Sequence, residues 1–154
     1  MNDLQAITST TGAIMAVDFG DTRTGLAVCD PSRLLASGIG YVSPGGIEKT
    51  ADAVADLAKE KRVVALVVGL PVNMDGSEGA RAARCRKFAA MVAERTGLPV
   101  AMFDERMTTM TASRYLNETN TRGKKRKGVI DTLSAQIILQ NCLDRLHYLN
   151  GGLQ

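Results

Sequence analysis

The run Val63-Val64-Ala65-Leu66-Val67-Val68-Gly69 is apolar at consecutive positions, and Leu70-Pro71 stops it. A strand with one wet face would carry a polar residue at every second position, so this one is covered on both faces. Proline forbids its continuation as a helix. Such a strand belongs at the centre of a largely parallel sheet with helices above and below, and this restricts the chain to an α/β architecture.

Neighbours for that strand are readable on both sides. Ile14-Met15-Ala16-Val17-Asp18-Phe19-Gly20 followed by Asp21-Thr22-Arg23-Thr24-Gly25-Leu26-Ala27-Val28 reads as a hairpin, with strands over 14–19 and 24–29. After the Asp30-Pro31-Ser32 turn, Leu34 through Val42 predicts a third strand. Ile47, Ala51, Val54 and Ala58 then recur at helical spacing, opposite Glu48, Lys49, Asp52 and Lys59. Beyond the central strand, Ala82, Cys85, Phe88, Ala89 and Val92 mark a second helix ending near Gly97, and residues 99–103 form another short strand. Thr108 or Thr109 can cap a short third helix through Leu116, and a basic loop follows. Val129, Ile130, Leu133, Ile137, Ile138 and Leu146 predict a final helix with one broad apolar face. The order is βββαβαβαα: a flexible N-terminal arm over 1–12, a single domain over 13–149 with one mixed sheet, and a C-terminal tail over 150–154.

Composition narrows the function classes. The 45% hydrophobic and 23% charged content is that of an ordinary globular chain, and no apolar run approaches the ~20 residues of a bilayer span. The first residues lack a basic segment and an apolar block, so a cytoplasmic location is expected and membrane partners are not. Cys29, Cys85 and Cys142 each sit among apolar neighbours and read as buried thiols. The single histidine, His147, has no second ligand at metal spacing. A net charge of +3 is uninformative until its distribution is considered. Arg122-Gly123-Lys124-Lys125-Arg126-Lys127-Gly128 concentrates five cations, an electrostatic footprint for a phosphate backbone or else a solvated loop.

In open α/β sheets the site lies outside the carboxyl ends of the parallel strands. Asp18 ends the first strand, Asp104-Glu105 end the fifth, and Asp131 stands at the start of the final helix. Three carboxylates converging there repel one another, and a divalent cation relieves the repulsion. Oxygen-only ligands favour Mg2+ or Mn2+ over zinc, and such a cluster suits hydrolysis of a phosphodiester. Local alternatives stand beside this reading: Asp104 or Glu105 can cap the following helix, and Asp131 in a first turn is favoured by the helix dipole. Asp18, embedded in an apolar strand, has no such local role.

Four blocks in this order, Ala16-Val17-Asp18-Phe19-Gly20, Val68-Gly69-Leu70-Pro71-Val72-Asn73-Met74-Asp75-Gly76, Asp104-Glu105-Arg106 and Asp131-Thr132-Leu133-Ser134-Ala135, resemble the YqgF family over residues 14–146. That family has an RNase H-like fold related to the RuvC Holliday junction resolvases and is described as a pre-16S rRNA nuclease. The resemblance implies a five-stranded sheet of order 3-2-1-4-5, and Asp18, Glu105 and Asp131 as catalytic metal ligands with Asp104 their neighbour. It further implies Mg2+ or Mn2+ as cofactor, with precursor rRNA or branched DNA bound by a monomer or homodimer. Many RNase H-like proteins end the fourth strand with an acid, whereas here it ends Gly69-Leu70-Pro71 and the acid comes one strand later. Across that gap of roughly 9–10 Å the longer Glu105 is expected to reach where Asp104 does not.

Two other functions fit parts of the chain. Asp18-Phe19-Gly20-Asp21-Thr22 with Gly25 also resembles the phosphate hairpin of actin-like and sugar kinases, a fold that needs a second domain to close on its nucleotide. A non-catalytic RNA-binding or ribosome-assembly protein would instead use Arg23, Arg106, Arg122, Lys124, Lys125, Arg126 and Lys127 on phosphates.

Overall fold

A computed structural model describes residues 4–107 and 123–149, with side chains described over 4–106 and 132–149. Five strands, β1 (Ile14–Asp18), β2 (Thr24–Cys29), β3 (Ala36–Val42), β4 (Ala65–Leu70) and β5 (Val100–Asp104), form one sheet in the order β3-β2-β1-β4-β5. β1, β2 and β3 pair antiparallel, whereas β1–β4 and β4–β5 are parallel. The all-apolar run is the strand between the two parallel partners, and every residue of β4 is buried.

Strand alternation divides the core in two. Ile14, Ala16, Ala65, Val67, Ala101 and Phe103 face one side, where they meet the long helix α4 (Gly123–Leu149) and the short helix α1 (Leu4–Thr8). Met15, Val17, Leu66 and Val68 face the other, against α2 (Ile47–Glu60) and α3 (Ala80–Thr96). α3 closes on Gly97 in the left-handed conformation, its N–H donating to the Ala93 carbonyl. The polar edge of β3 is met by two glutamines of α4: Gln140 Oε1 accepts from the Ala36 N–H at 3.0 Å, and Gln136 Nε2 donates to the Ala36 carbonyl at 3.3 Å.

Four expectations are corrected. The N-terminal arm expected over 1–12 carries α1, because Leu4 and Ile7, three residues apart, share a face and are buried in the core. Arg33 fixes it: Nε donates to the Gly12 carbonyl at 2.7 Å, Nη2 to Thr10 Oγ1 at 2.6 Å and Nη1 to the Ile7 carbonyl at 3.4 Å. The third strand begins at Ala36 rather than Leu34, since Arg33 turns the chain at φ 62° and the Asp30 carboxylate accepts from the N–H groups of Leu34 and Leu35. The basic segment from Gly123 onward is not a loop, for Lys124, Lys125, Arg126 and Lys127 lie in the first turns of α4. Finally, among the described side chains of that helix the buried stripe is Ala135, Ile138, Leu139, Cys142, Leu143 and Leu146, which keeps Ile138 and Leu146 of the expected face and leaves Leu133 and Ile137 only half-buried at its margin; the side chains of Val129 and Ile130 lie outside the described residues. The short helix expected over residues 108–116 lies outside the described residues.

Candidate functional site

The carboxyl ends of β1, β4 and β5 lie side by side. Asp18 closes β1 on the same side as Ile14 and Ala16, next to the Val17–Val68 pair and so level with Gly69 of β4. Glu105 follows β5 in the first position of a short 3-10 turn, and alternation from Ala101 and Phe103 brings it to that same side. Its carboxylate lies over Gly69. A Cβ placed on Gly69 would stand 3.1 Å from Glu105 Oε2 and 2.7 Å from Ile138 Cδ1, so the missing side chain is what admits the glutamate. Burial raises the Glu105 carboxyl above its ordinary range, opposed by the Arg81 guanidinium and reinforced by the Asp104 charge.

Asp104 serves elsewhere. Both its oxygens are held by Arg106, whose Nη2 donates to Oδ2 at 2.7 Å and whose backbone N–H donates to Oδ1 at 2.9 Å. These bonds hold the Asp104 carboxyl below the usual range against the cost of its partial burial. Arg106 Nη1 also reaches the Asn73 carbonyl at 3.3 Å. It thereby anchors a loop closed by its own bonds, Asn73 N–H to the Ser77 carbonyl at 2.9 Å and Ser77 Oγ to Asp75 Oδ1 at 2.6 Å. Glu105 is thus the acid that shares a side of the sheet with Asp18, and Asp104 with Arg106 forms the clasp behind it.

The remaining residues singled out by sequence are distributed as follows. Arg23 stands in the β1–β2 turn, half-buried, where a Cβ on Gly20 would meet the Arg23 carbonyl oxygen at 2.3 Å and only glycine fits. Asp131 lies in α4 one residue before Thr132, whose methyl group packs on Gly38 of β3, and its own side chain is outside the described residues. Lys124, Lys125, Arg126 and Lys127 have described backbone only, and Arg122 is outside the described residues. Among the described residues no group of three His, Cys, Asp or Glu side chains is disposed to hold a metal ion. The two acids that share the edge, Asp18 and Glu105, provide oxygen donors only, and Glu105 is a half-buried carboxylate that a cation would keep ionised. That donor chemistry fits a hard divalent cation.

Sequence reasoning missed a cation whose charge acts on Glu105. Arg81 and Arg84, one turn apart at the start of α3, line a cleft of about 220 Å³ with Phe19, Asp21, Ala80 and Cys85. Arg81 Nη2 lies 3.4 Å from the carbonyl of Phe19, the residue after Asp18. Arg84 pairs with Asp21 at 2.8 Å and sits 5.7 Å over the Phe19 ring, which is itself stacked on Phe88. Burial pushes the Cys85 thiol up to about 11, Arg81 opposing and the charges of Glu105, Asp18 and Asp21 adding to it. Their signal was the i, i+3 spacing of two arginines beside Cys85 and Phe88, overshadowed by the denser basic run at 122–127.

Comparison with known proteins identifies the company this arrangement keeps. Residues 12–145 match the family model described as RuvX: Holliday junction resolvase. A Rhodopirellula baltica protein named "Putative pre-16S rRNA nuclease" is 42% identical over 138 residues, covering 90% of this chain and 80% of the relative. A Rhodopseudomonas palustris protein of the same name is 43% identical, covering 91% and 86% respectively. Among solved structures, Thermus thermophilus RuvC in complex with Holliday junction substrate superposes with a TM-score of 0.56 at 15% identity, covering 91% of this chain and 96% of RuvC. At that identity the likeness is one of fold, the RNase H-like fold expected from the sequence.

Proposed function

The chain belongs to the RuvX family of Holliday junction resolvases, and on that footing we propose that it is a metal-dependent nuclease that hydrolyses phosphodiester bonds in the precursor of 16S rRNA. The observation that carries this reading is the placement of Asp18 and Glu105 on one side of the carboxyl edge, with Glu105 reaching across the side-chain-free Gly69. The rRNA precursor is preferred because relatives above 40% identity carry that name over most of their length. The family description supports branched DNA as the second substrate.

Asp18, Glu105 and Asp131 are the residues that would hold Mg2+ or Mn2+. Bound there, the cation makes water nucleophilic at neutral pH and stabilises the charge that builds on the phosphate oxygens. The chain's own residues prepare the place. Glu105 is desolvated over Gly69, with Arg81 favouring its ionised form, while the Asp104–Arg106 clasp holds the loop from Asn73 to Ser77 beside it. Lys124, Lys125, Arg126, Lys127, Arg122 and Arg23 supply positive charge for the backbone.

The test is cleavage of matched precursor rRNA and four-way junction DNA with added Mg2+ or Mn2+, by the protein and its Asp18→Asn variant. Asp18→Asn keeps shape and removes charge, so cleavage is expected to vanish while the circular dichroism spectrum stays that of the parent. Undiminished cleavage in that variant, with contaminating nuclease excluded, removes Asp18 from the site.

A further inference from the structure

The cleft between the β1–β2 turn and the first turns of α3 has a charge pattern that the carboxylate site alone does not explain. Its floor is fixed: Phe19 is stacked on buried Phe88 at 4.3 Å between centroids, and Cys85 is buried beneath. Its two cations are differently engaged. Arg84 is bonded to the Asp21 carboxylate at 2.8 Å, whereas the contact made by Arg81 is a long one, 3.4 Å, to the Phe19 carbonyl. Arg81 is exposed and engages one donor on a main-chain oxygen one residue from Asp18, and a guanidinium carries five N–H donors. The Asp21–Arg84 pair is a surface pair, its side chains 68% and 43% exposed, so an incoming anion competes for Arg84 at little cost.

We propose that this cleft is a subsite for a backbone phosphate of the substrate strand, with Arg81 as its donor and Arg84 as a second donor held in reserve by Asp21. The inference rests on the nuclease reading above and extends it. A strand crossing the carboxyl edge at Asp18 and Glu105 continues onto the α3 side of the sheet, away from α4 and its basic first turns. The subsite takes a phosphodiester and is indifferent to the base, because the lining presents guanidinium donors and an aromatic floor occupied by Phe88 and Arg84. Asp21 is the gate in electrostatic terms: it occupies Arg84 when no phosphate is present and repels one as it arrives.

The experiment measures binding of fluorescein-labelled precursor rRNA and four-way junction DNA by the full-length protein in EDTA, across a salt series. Arg81→Gln is expected to weaken both probes about five- to ten-fold and to lower the slope of log K against log salt by about one, while Arg81→Lys keeps the slope. Asp21→Asn is expected to tighten binding two- to five-fold by releasing Arg84, and adding Arg84→Gln cancels that gain. Lys59→Gln, on α2, is the surface-charge control. Unchanged affinity and slope in Arg81→Gln overturns the subsite, as does an Asp21→Asn variant that binds no better than the parent. If the parent cleaves but Arg81→Gln binds as it does, the subsite alone falls. A parent that binds neither probe overturns the nuclease reading and the subsite with it.

Discussion

The two adjacent acids Asp104 and Glu105 show how one peptide unit separates environments. Alternation sends them to opposite sides of the sheet, and the partners found there differ in kind: a paired guanidinium for Asp104, a glycine gap and desolvation for Glu105. Because the fold raises the Glu105 carboxyl, the protonated form is favoured by folding. The stabilisation it gives is complete below about pH 4.5 and is lost as pH rises through the folded value, so at neutral pH its ionisation burdens the metal-free protein. Glu105→Gln is therefore expected to abolish turnover and at the same time to raise the melting temperature of the metal-free protein at pH 7, the gain fading near pH 4. Asp104→Asn is expected to retain about 1–10% of turnover, the scale of losing an orienting contact, because it loosens the clasp on Arg106 rather than removing a ligand. Reversed kinetics, or a Glu105→Gln variant that melts lower at pH 7, would contradict this assignment. That Glu105, and not Asp104, lies on the side of the sheet that Asp18 shares was legible in sequence from alternation. Arg81 was not, because its relation to Glu105 depends on how α3 meets the sheet edge, which no local pattern encodes.

At the scale of elements, legibility followed the number of independent signals. β4 was unmistakable because continuous apolarity, β-branching and a terminal proline agreed, and the hairpin and α2 had comparable support. The N-terminal helix failed because five residues give one turn and no periodicity, and its stability comes from burial of Leu4 and Ile7 and from Arg33, 25 residues or more away in sequence. The start of α4 failed because glycines flanking four cations look like loop punctuation. Arg33 makes the cost of the first failure measurable. It is nearly buried, at 8% exposure, and holds a positive φ while bonding three acceptors on the segment from Ile7 to Gly12. Arg33→Met keeps the apolar stem and removes the donors, so it is expected to destabilise the fold by about 1–3 kcal/mol. A urea midpoint unchanged from the parent would show that α1 is held by apolar packing alone.

On the scale of the whole molecule, charge is placed against stability. The chain carries only a small positive excess, +3, yet four cations fall in succession at positions 124–127, within the first turns of the longest helix, with no acid in its first turn. The amino end of a helix carries partial positive charge, and each cation there costs roughly 0.3–1 kcal/mol at low salt. A segment chosen for stability alone would hold acids. Binding to a polyanion reverses the sign, since each cation that neutralises a phosphate releases counterions. Replacing Lys124, Lys125, Arg126 and Lys127 together by glutamine is therefore expected to act in opposite directions on two measurements. The melting temperature at low salt rises or holds, because four unfavourable helix–charge terms are gone. Affinity for precursor rRNA and for junction DNA falls alike, and the slope of log K against log salt drops by about two to four, whatever the sequence of the probe. A solvated, non-binding segment gives the first result without the second. Loss of melting temperature with binding intact would mean that these side chains serve the fold, and would move the nucleic-acid path away from the amino end of the helix.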